Sequence, residues 1–223
     1  MIKLIEVISV TDRVNDILQH NILPLLAPDI RLIIKKIDKS KLNNLTEIRL
    51  RANKPLVLEK SRGELIIDQY GKVRENLRQA YLVTKSNITD TLQLMTNSSL
   101  YTLDEELKAG YLTLTGGHRV GLVGQVISKN NQIERIKHIA GLNIRICQEI
   151  IGAADGVIDQ IIAGRKEIYN TLIISPPRCG KTTLIRDLTR QISDGVSSLK
   201  FDGLKVGVVD ERSEIGGSYQ GVP

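Results

Sequence analysis

The sequence predicts a mixed α/β protein, an α+β unit over residues 1–150 followed by an α/β unit over 151–223. Three observations carry this. Residues 47–52 alternate strictly between charged and apolar, the period of a half-buried strand. A hairpin pattern follows at 111–127, with Gly116 and Gly117 between two β-prone runs. From 171 to 209 the order is strand, loop, helix, strand, which reads as a βαβ crossover and therefore a parallel pair.

Composition sets the frame. The chain has 223 residues, 41% of them hydrophobic and 25% charged, too apolar for disorder and too charged for a membrane-embedded chain. With one Phe, six Tyr and no Trp, the core must come from Ile, Leu and Val. A net charge of +6 suits a phosphate ligand or an acidic surface without demanding either. No stretch reaches the roughly 18–20 apolar residues of a membrane-spanning helix. The start, Met1-Ile2-Lys3-Leu4-Ile5-Glu6, lacks the pattern of a secretory signal. Cys147 and Cys179 form no CxxC, and His20, His118 and His138 show no metal-ligand spacing, so reduced thiols in a cytosolic protein are expected.

Along the chain, Val14, Ile17 and Leu18 fall on one face of a helical region at 11–37 that Pro24 and Pro28 interrupt. In the strand at 47–52 the wet face is expected to hold Glu47, Arg49 and Arg51. Pro55 restarts the chain into 56–58, and Gly63 separates that run from 65–67. Ile88, Leu92 and Met95 make a helical stripe, and Thr102 with Glu105 is a capping-box pair for a second short helix ending at Gly110. Asn130-Asn131 marks a turn before a strand at 139–146. The boundary between units is expected at 148–154, followed by a helix at 155–164.

The loop after the strand at 171–174 reads Ser175-Pro176-Pro177-Arg178-Cys179-Gly180-Lys181-Thr182-Thr183. It parallels the phosphate-binding pattern G-x-x-x-x-G-K-[ST]. There, backbone N–H groups at a helix start converge on the phosphates, a Lys meets the β- and γ-oxygens, and a hydroxyl holds Mg²⁺. Gly180, Lys181 and Thr182 fit, whereas Ser175 stands for the first Gly and Arg178 where many such loops have another. Downstream, the apolar run 206–209 ends in Asp210 and Glu211, acids at the carboxyl edge of a sheet. One acid can orient Mg²⁺ and the other an attacking water. By pattern alone, 206–211 reads as a Walker B strand.

Four runs, taken together, resemble the stage III sporulation protein AA family, a branch of the type II and type IV secretion ATPases. They are Leu45-Thr46-Glu47-Ile48-Arg49-Leu50-Arg51 with Pro55, then 110–121 with its Gly-Gly-His-Arg-Val-Gly, then 173–187, and finally Val209-Asp210-Glu211-Arg212-Ser213-Glu214-Ile215. The resemblance implies an N-terminal α+β domain followed by a RecA-like P-loop domain, which is incomplete here because the chain ends at Pro223, before a Walker B segment. It makes Lys181 and Thr182 the Walker A Lys and Mg²⁺-binding hydroxyl. Asp210 and Glu211 become an acidic box distinct from Walker B, with Asp210 toward the metal. Arg145 matches the family's phosphate-reaching arginine near the domain junction, although a plain solvent-facing strand Arg is an equal reading. The implied cofactors are ATP and Mg²⁺. The implied assembly is a homo-oligomeric ring, a hexamer, in the cytoplasm of the mother cell and peripheral to a membrane-embedded channel complex facing the forespore. Without Walker B, ATP hydrolysis by this chain is expected to be poor and its C-terminal half marginal.

Two other classes stay open. A nucleotide-switched nucleic-acid binder is favoured by the +6 charge and by Arg49 and Arg51, but few aromatics can stack on bases and no basic run stands out. A non-catalytic interaction module of a channel complex needs only the N-terminal domain.

Overall fold

The computed structural model describes residues 10–96, 110–129, 132–148, 150–176, 179–210 and 215–216. The chain divides into two compact units, 1–147 and 148–223.

Unit 1 is one antiparallel sheet with helices on one face. Its strands are β1 (Leu45–Arg51), β2 (Leu56–Lys60), β3 (Glu64–Ile67), β4 (Val73–Arg74), β5 (Tyr111–Leu114), β6 (His118–Lys129) and β7 (Gln132–Arg145), in the order β4-β3-β2-β1-β7-β6-β5. The helices are α1 (Val10–Ile17), α2 (Pro28–Lys35) and α3 (Lys85–Met95). The period-2 pattern decides the covered face. Ile48 stands opposite Leu58 and Ile144, and Ile144 opposite Val120, which in turn faces Leu112. All five side chains are buried, and Ile30, Ile34, Ile88, Leu92 and Met95 belong to the same core. Helix α3 starts at a reciprocal cap: Asn87 N–H donates to Thr84 Oγ1 (3.1 Å) and Thr84 N–H to Asn87 Oδ1 (2.9 Å). Thr91 on α3 accepts a buried bond from Ala27 N–H (2.9 Å), which pins α3 to the start of α2. The expected hairpin forms around Gly116 and Gly117, at φ 82° and 73°, a conformation open to glycine at little cost.

Unit 2 holds α4 (Ile158–Ile161), β8 (Ile162–Gly164), β9 (Glu167–Ile168) and α5 (Lys181–Asp194). Ala154, Ile158, Ile161 and Leu188 form its buried core, with Leu184, Ile173 and Ile192 packed against them.

The expected fold class, helices and strands mixed in one chain, is what the structure has, but particular elements differ. The runs 171–174 and 206–209 are not strands: both lie outside any sheet. Leu172 and Ile174 are 82% and 81% exposed, and Val209 is 98% exposed. A parallel pair draws its stability from flanking strands and from helices on both faces. Among the described residues these two segments have neither, so the anticipated βαβ crossover is not hydrogen-bonded. The helix expected at 155–164 stops at Ile161, because Ile162 pairs with Ile168 in a small hairpin; an apolar period over so few residues does not separate helix from strand. Strand β7 starts at Gln132, well before 139. Glu47, expected on the wet face, is buried beneath Arg49 and Arg145. Thr102, Glu105, Asn130 and Asn131 lie outside the described residues.

Candidate functional site

The phosphate-loop motif sits where α5 begins. Gly180 is the N-cap residue at φ 81°, left-handed, and a Cβ built there would meet nothing within 4 Å. Helix bonding begins with Leu184 N–H to Gly180 O (2.9 Å), so the N–H groups of the first turn are not used within the helix. Lys181 opens α5 and folds its ammonium back over the loop. Nζ donates to Ser175 O (2.7 Å) and Pro176 O (2.9 Å), with Ser175 Oγ at 3.3 Å. The Lys181 ammonium is thus satisfied by two consecutive residues at the end of the preceding segment. A cation, a hydroxyl at Thr182 and helix-start amides are the donor set that a phosphate chain requires, so the residues fit a nucleotide. Cys179 is exposed at the mouth of the loop, and Thr183 is half-buried in the first turn. Pro177, Arg178 and Glu211 lie outside the described residues.

Helix α5 is fastened by its polar residues as much as by Leu184 and Leu188. The carboxylate of Asp187 is buried and takes four bonds: from Ala154 N–H (2.9 Å), from Arg190 Nε (2.9 Å) and Nη2 (2.7 Å), and from Gln191 Nε2 (3.0 Å). Gln191 also reaches Asp155 Oδ1 (2.7 Å). Burial pushes the Asp187 carboxyl up, but the Ala154 N–H, the Arg190 guanidinium and the Gln191 amide outweigh it and hold the group below its ordinary value.

Asp210 is held by backbone groups further along the chain. Its Oδ2 accepts from Ile215 N–H (2.8 Å) and Gly216 N–H (2.9 Å). Among the described residues, no group of three or more His, Cys, Asp or Glu side chains is arranged to hold a metal.

Arg145 lies in unit 1, directly across from Glu47 on β1 and Arg119 on β6. Its Nε donates to Glu47 Oε2 (3.2 Å) while most of the side chain stays exposed. Glu47 also takes Arg49 Nε on Oε1 (2.8 Å), and the Arg49 guanidinium extends to Glu59 and to Glu64 (3.8 Å). Two arginines over one carboxylate explain why Glu47 is covered. The same network neutralises Arg49, which removes one of the two cations that favoured nucleic acid. Arg119 lies over the Tyr111 ring, 5.6 Å from its centre. His118 is buried, and its Nδ1 accepts Cys147 N–H (2.9 Å), tying the end of β7 to the start of β6.

Comparison with known proteins now adds its part. A family model described as "Sporulation stage III, protein AA" matches residues 16–223. The chain belongs to the sporulation stage III protein AA family. Within it, the chain is 38% identical over 204 residues to "Stage III sporulation protein AA" of Bacillus subtilis (strain 168). That alignment covers 92% of this chain and 61% of the relative, so the chain spans about three fifths of the relative's length. Among solved structures, the X-ray structure of the Legionella pneumophila ATPase DotB aligns with a TM-score of 0.41 at 15% identity, covering 76% of this chain and 42% of DotB. Among the described residues, no helix of this family member is long and apolar enough to cross a membrane.

Sequence reasoning missed Asp187, Gln191 and Arg186 as functional-site supports. Asp187 and Gln191 share the inner face of α5 with Leu184 and Leu188, and polar side chains at i+3 and i+4 on an apolar stripe were the available signal.

Proposed function

We propose that this family member binds ATP with Mg²⁺ at residues 175–183 and serves as the nucleotide-driven part of a channel complex in spore formation. One observation carries the reading: Lys181, first in its helix and preceded by a left-handed glycine, turns its ammonium back onto the carbonyls of Ser175 and Pro176. That preorganises a cation beside the helix-start amides. Lys181 would exchange these carbonyls for β- and γ-phosphate oxygens, and the Thr182 hydroxyl would help hold the metal. Mg²⁺ supplies charge neutralisation at the phosphates. Lys181, Asp210 and Glu211 are the proposed catalytic groups, the acids orienting metal and water, and Arg145 is a further proposed phosphate contact. A homo-hexameric ring on the cytoplasmic, mother-cell side of a membrane-embedded complex completes the proposal.

The test is a titration of the chain with ATP in Mg²⁺. Lys181→Ala loses a charge-assisted contact to phosphate, at least about 1.5–3 kcal/mol or roughly 10- to 100-fold in affinity. The circular dichroism and melting of unit 1 stay unchanged. Equal affinity in the alanine variant would sink the assignment.

A further inference from the structure

Arg186 lies on α5 five residues past Lys181, and its side chain leaves the helix altogether. Nε donates to Ile215 O (3.0 Å), and Nη1 donates to Gln148 O (3.3 Å). The neighbouring Arg190 behaves differently, pairing along its own helix with Asp187 and with Asp194 (3.6 Å). Arg186 has Thr182 four residues before it and Arg190 four after, so its helix offers no carboxylate at that spacing. Instead its planar guanidinium satisfies two backbone carbonyls, bonds that its charge strengthens.

The partner of Nε matters most. Ile215 is gripped from both sides: Arg186 takes its carbonyl, while Asp210 Oδ2 takes its N–H and that of Gly216. Arg186 and Asp210 are thus joined through a single residue. Rotation or translation of α5 carries Ile215 with it, and with Ile215 the carboxylate of Asp210. Through Nη1 the same guanidinium holds Gln148, the first residue of unit 2.

We infer that Arg186 is a positioning residue that sets the Asp210 carboxylate relative to the phosphate-loop helix, through the Arg186–Ile215–Asp210 clasp. This rests on the reading of 175–183 as a nucleotide site. Its consequence is specific. Phosphate binding by Lys181 and the helix amides does not need the clasp; with Asp210 in its proposed role toward the metal, the additional affinity that Mg²⁺ confers does. Supports of this outer kind, when removed, typically cost about 10- to 100-fold in metal affinity.

The experiment titrates the full chain with a non-hydrolysable ATP analogue, in Mg²⁺ and in EDTA, for wild type, Arg186→Gln, Arg186→Lys, Asp210→Asn, the Arg186→Gln/Asp210→Asn double variant and Lys181→Ala. Thermal melts accompany each titration. The expected result is that Arg186→Gln lowers the Mg²⁺-dependent gain in affinity by about tenfold, with the loss confined to the Mg²⁺ titration. Asp210→Asn lowers the same gain, the double variant loses no more than either single one, and Arg186→Lys recovers part of it. A loss of equal size with and without Mg²⁺ would mark Arg186 as merely structural and overturn the inference. An intact Mg²⁺ gain in Arg186→Gln or in Asp210→Asn overturns it as well. Wild-type affinity in Lys181→Ala overturns the nucleotide reading and this inference together, whereas loss of binding there with an intact Mg²⁺ gain in Arg186→Gln overturns only this one.

Discussion

Units 1 and 2 contain the same kinds of apolar residue and use them in opposite ways. In unit 1 the apolar residues of each strand meet apolar residues of the next, and three helices cover the resulting face. In unit 2 the most apolar runs, 171–174 and 206–209, stay outside any sheet, and the buried core reduces to a few residues around α4 and α5. The difference is one of topology. Antiparallel strands joined by tight turns complete their hydrogen bonding locally and can leave one face in water. Extended segments suited to a parallel sheet cannot do so as a pair. What holds the candidate site in unit 2 is accordingly polar: Asp187, Arg190, Gln191 and Arg186 fasten the phosphate-loop helix to 148–155 and to Ile215.

This contrast can be broken at several points. The largest effect is expected in the unit 1 core. Ile48→Ala leaves a cavity between Leu58 and Ile144 and should destabilise the unit by about 2–5 kcal/mol in urea unfolding, with the unit 2 transition unmoved. A loss below about 1 kcal/mol would mean that the sheet face is not the core.

Next comes the buried carboxylate of unit 2. Asp187→Asn removes charge-assisted bonds to Arg190 and Ala154 and should cost about 1–3 kcal/mol at pH 7. The sign with pH follows from its lowered pKa. A folded-state value below the unfolded one means that the contribution is fully present above about pH 5. It is then lost as pH falls through the unfolded value near 3.9 and on through the folded one. Urea midpoints of wild type and variant should therefore draw together as pH falls below about 5 and on through the folded-state value. Curves that stay parallel would show that Asp187 is not held ionised. In unit 1, Asp68 is a second such group: burial pushes it up, and the Lys72 N–H, Arg74 and the Tyr70 N–H bring it below the usual value. The acid response should thus appear in both units.

The smallest effect sharpens the comparison most. Leu172→Ser with Val209→Ser replaces exposed apolar side chains and should change stability by less than about 0.5 kcal/mol. It should also lower self-association in light scattering, because exposed apolar segments with unpaired backbone are adhesive. A large destabilisation would show that these segments are packed after all.

Much of unit 1 was legible in the residues. Alternation at 47–52, the stripe Ile88–Leu92–Met95 and the Gly116-Gly117 turn each follow a local period or a local backbone need, and they fall in β1, in α3 and between β5 and β6. The start of α5 was legible for the same reason: Gly180, a left-handed N-cap, and Lys181, the first helical residue, are specified by what a helix start demands of neighbouring positions. Less legible were contacts between residues far apart in the chain. Glu47 alternates like a surface residue, and only Arg145, brought alongside by β7, covers it together with Arg49.

By itself, then, the sequence determined element periods, the start of α5 and the family to which the chain is similar, because these depend on residues within about one or two turns of each other. Tertiary structure alone decided that 171–174 and 206–209 remain unpaired, that Asp187 is a buried anchor and that Arg186 and Asp210 share Ile215. The physical reason is common to all three. Pairing, burial and backbone satisfaction are properties of a side chain's surroundings, and those surroundings come from segments that no local pattern identifies.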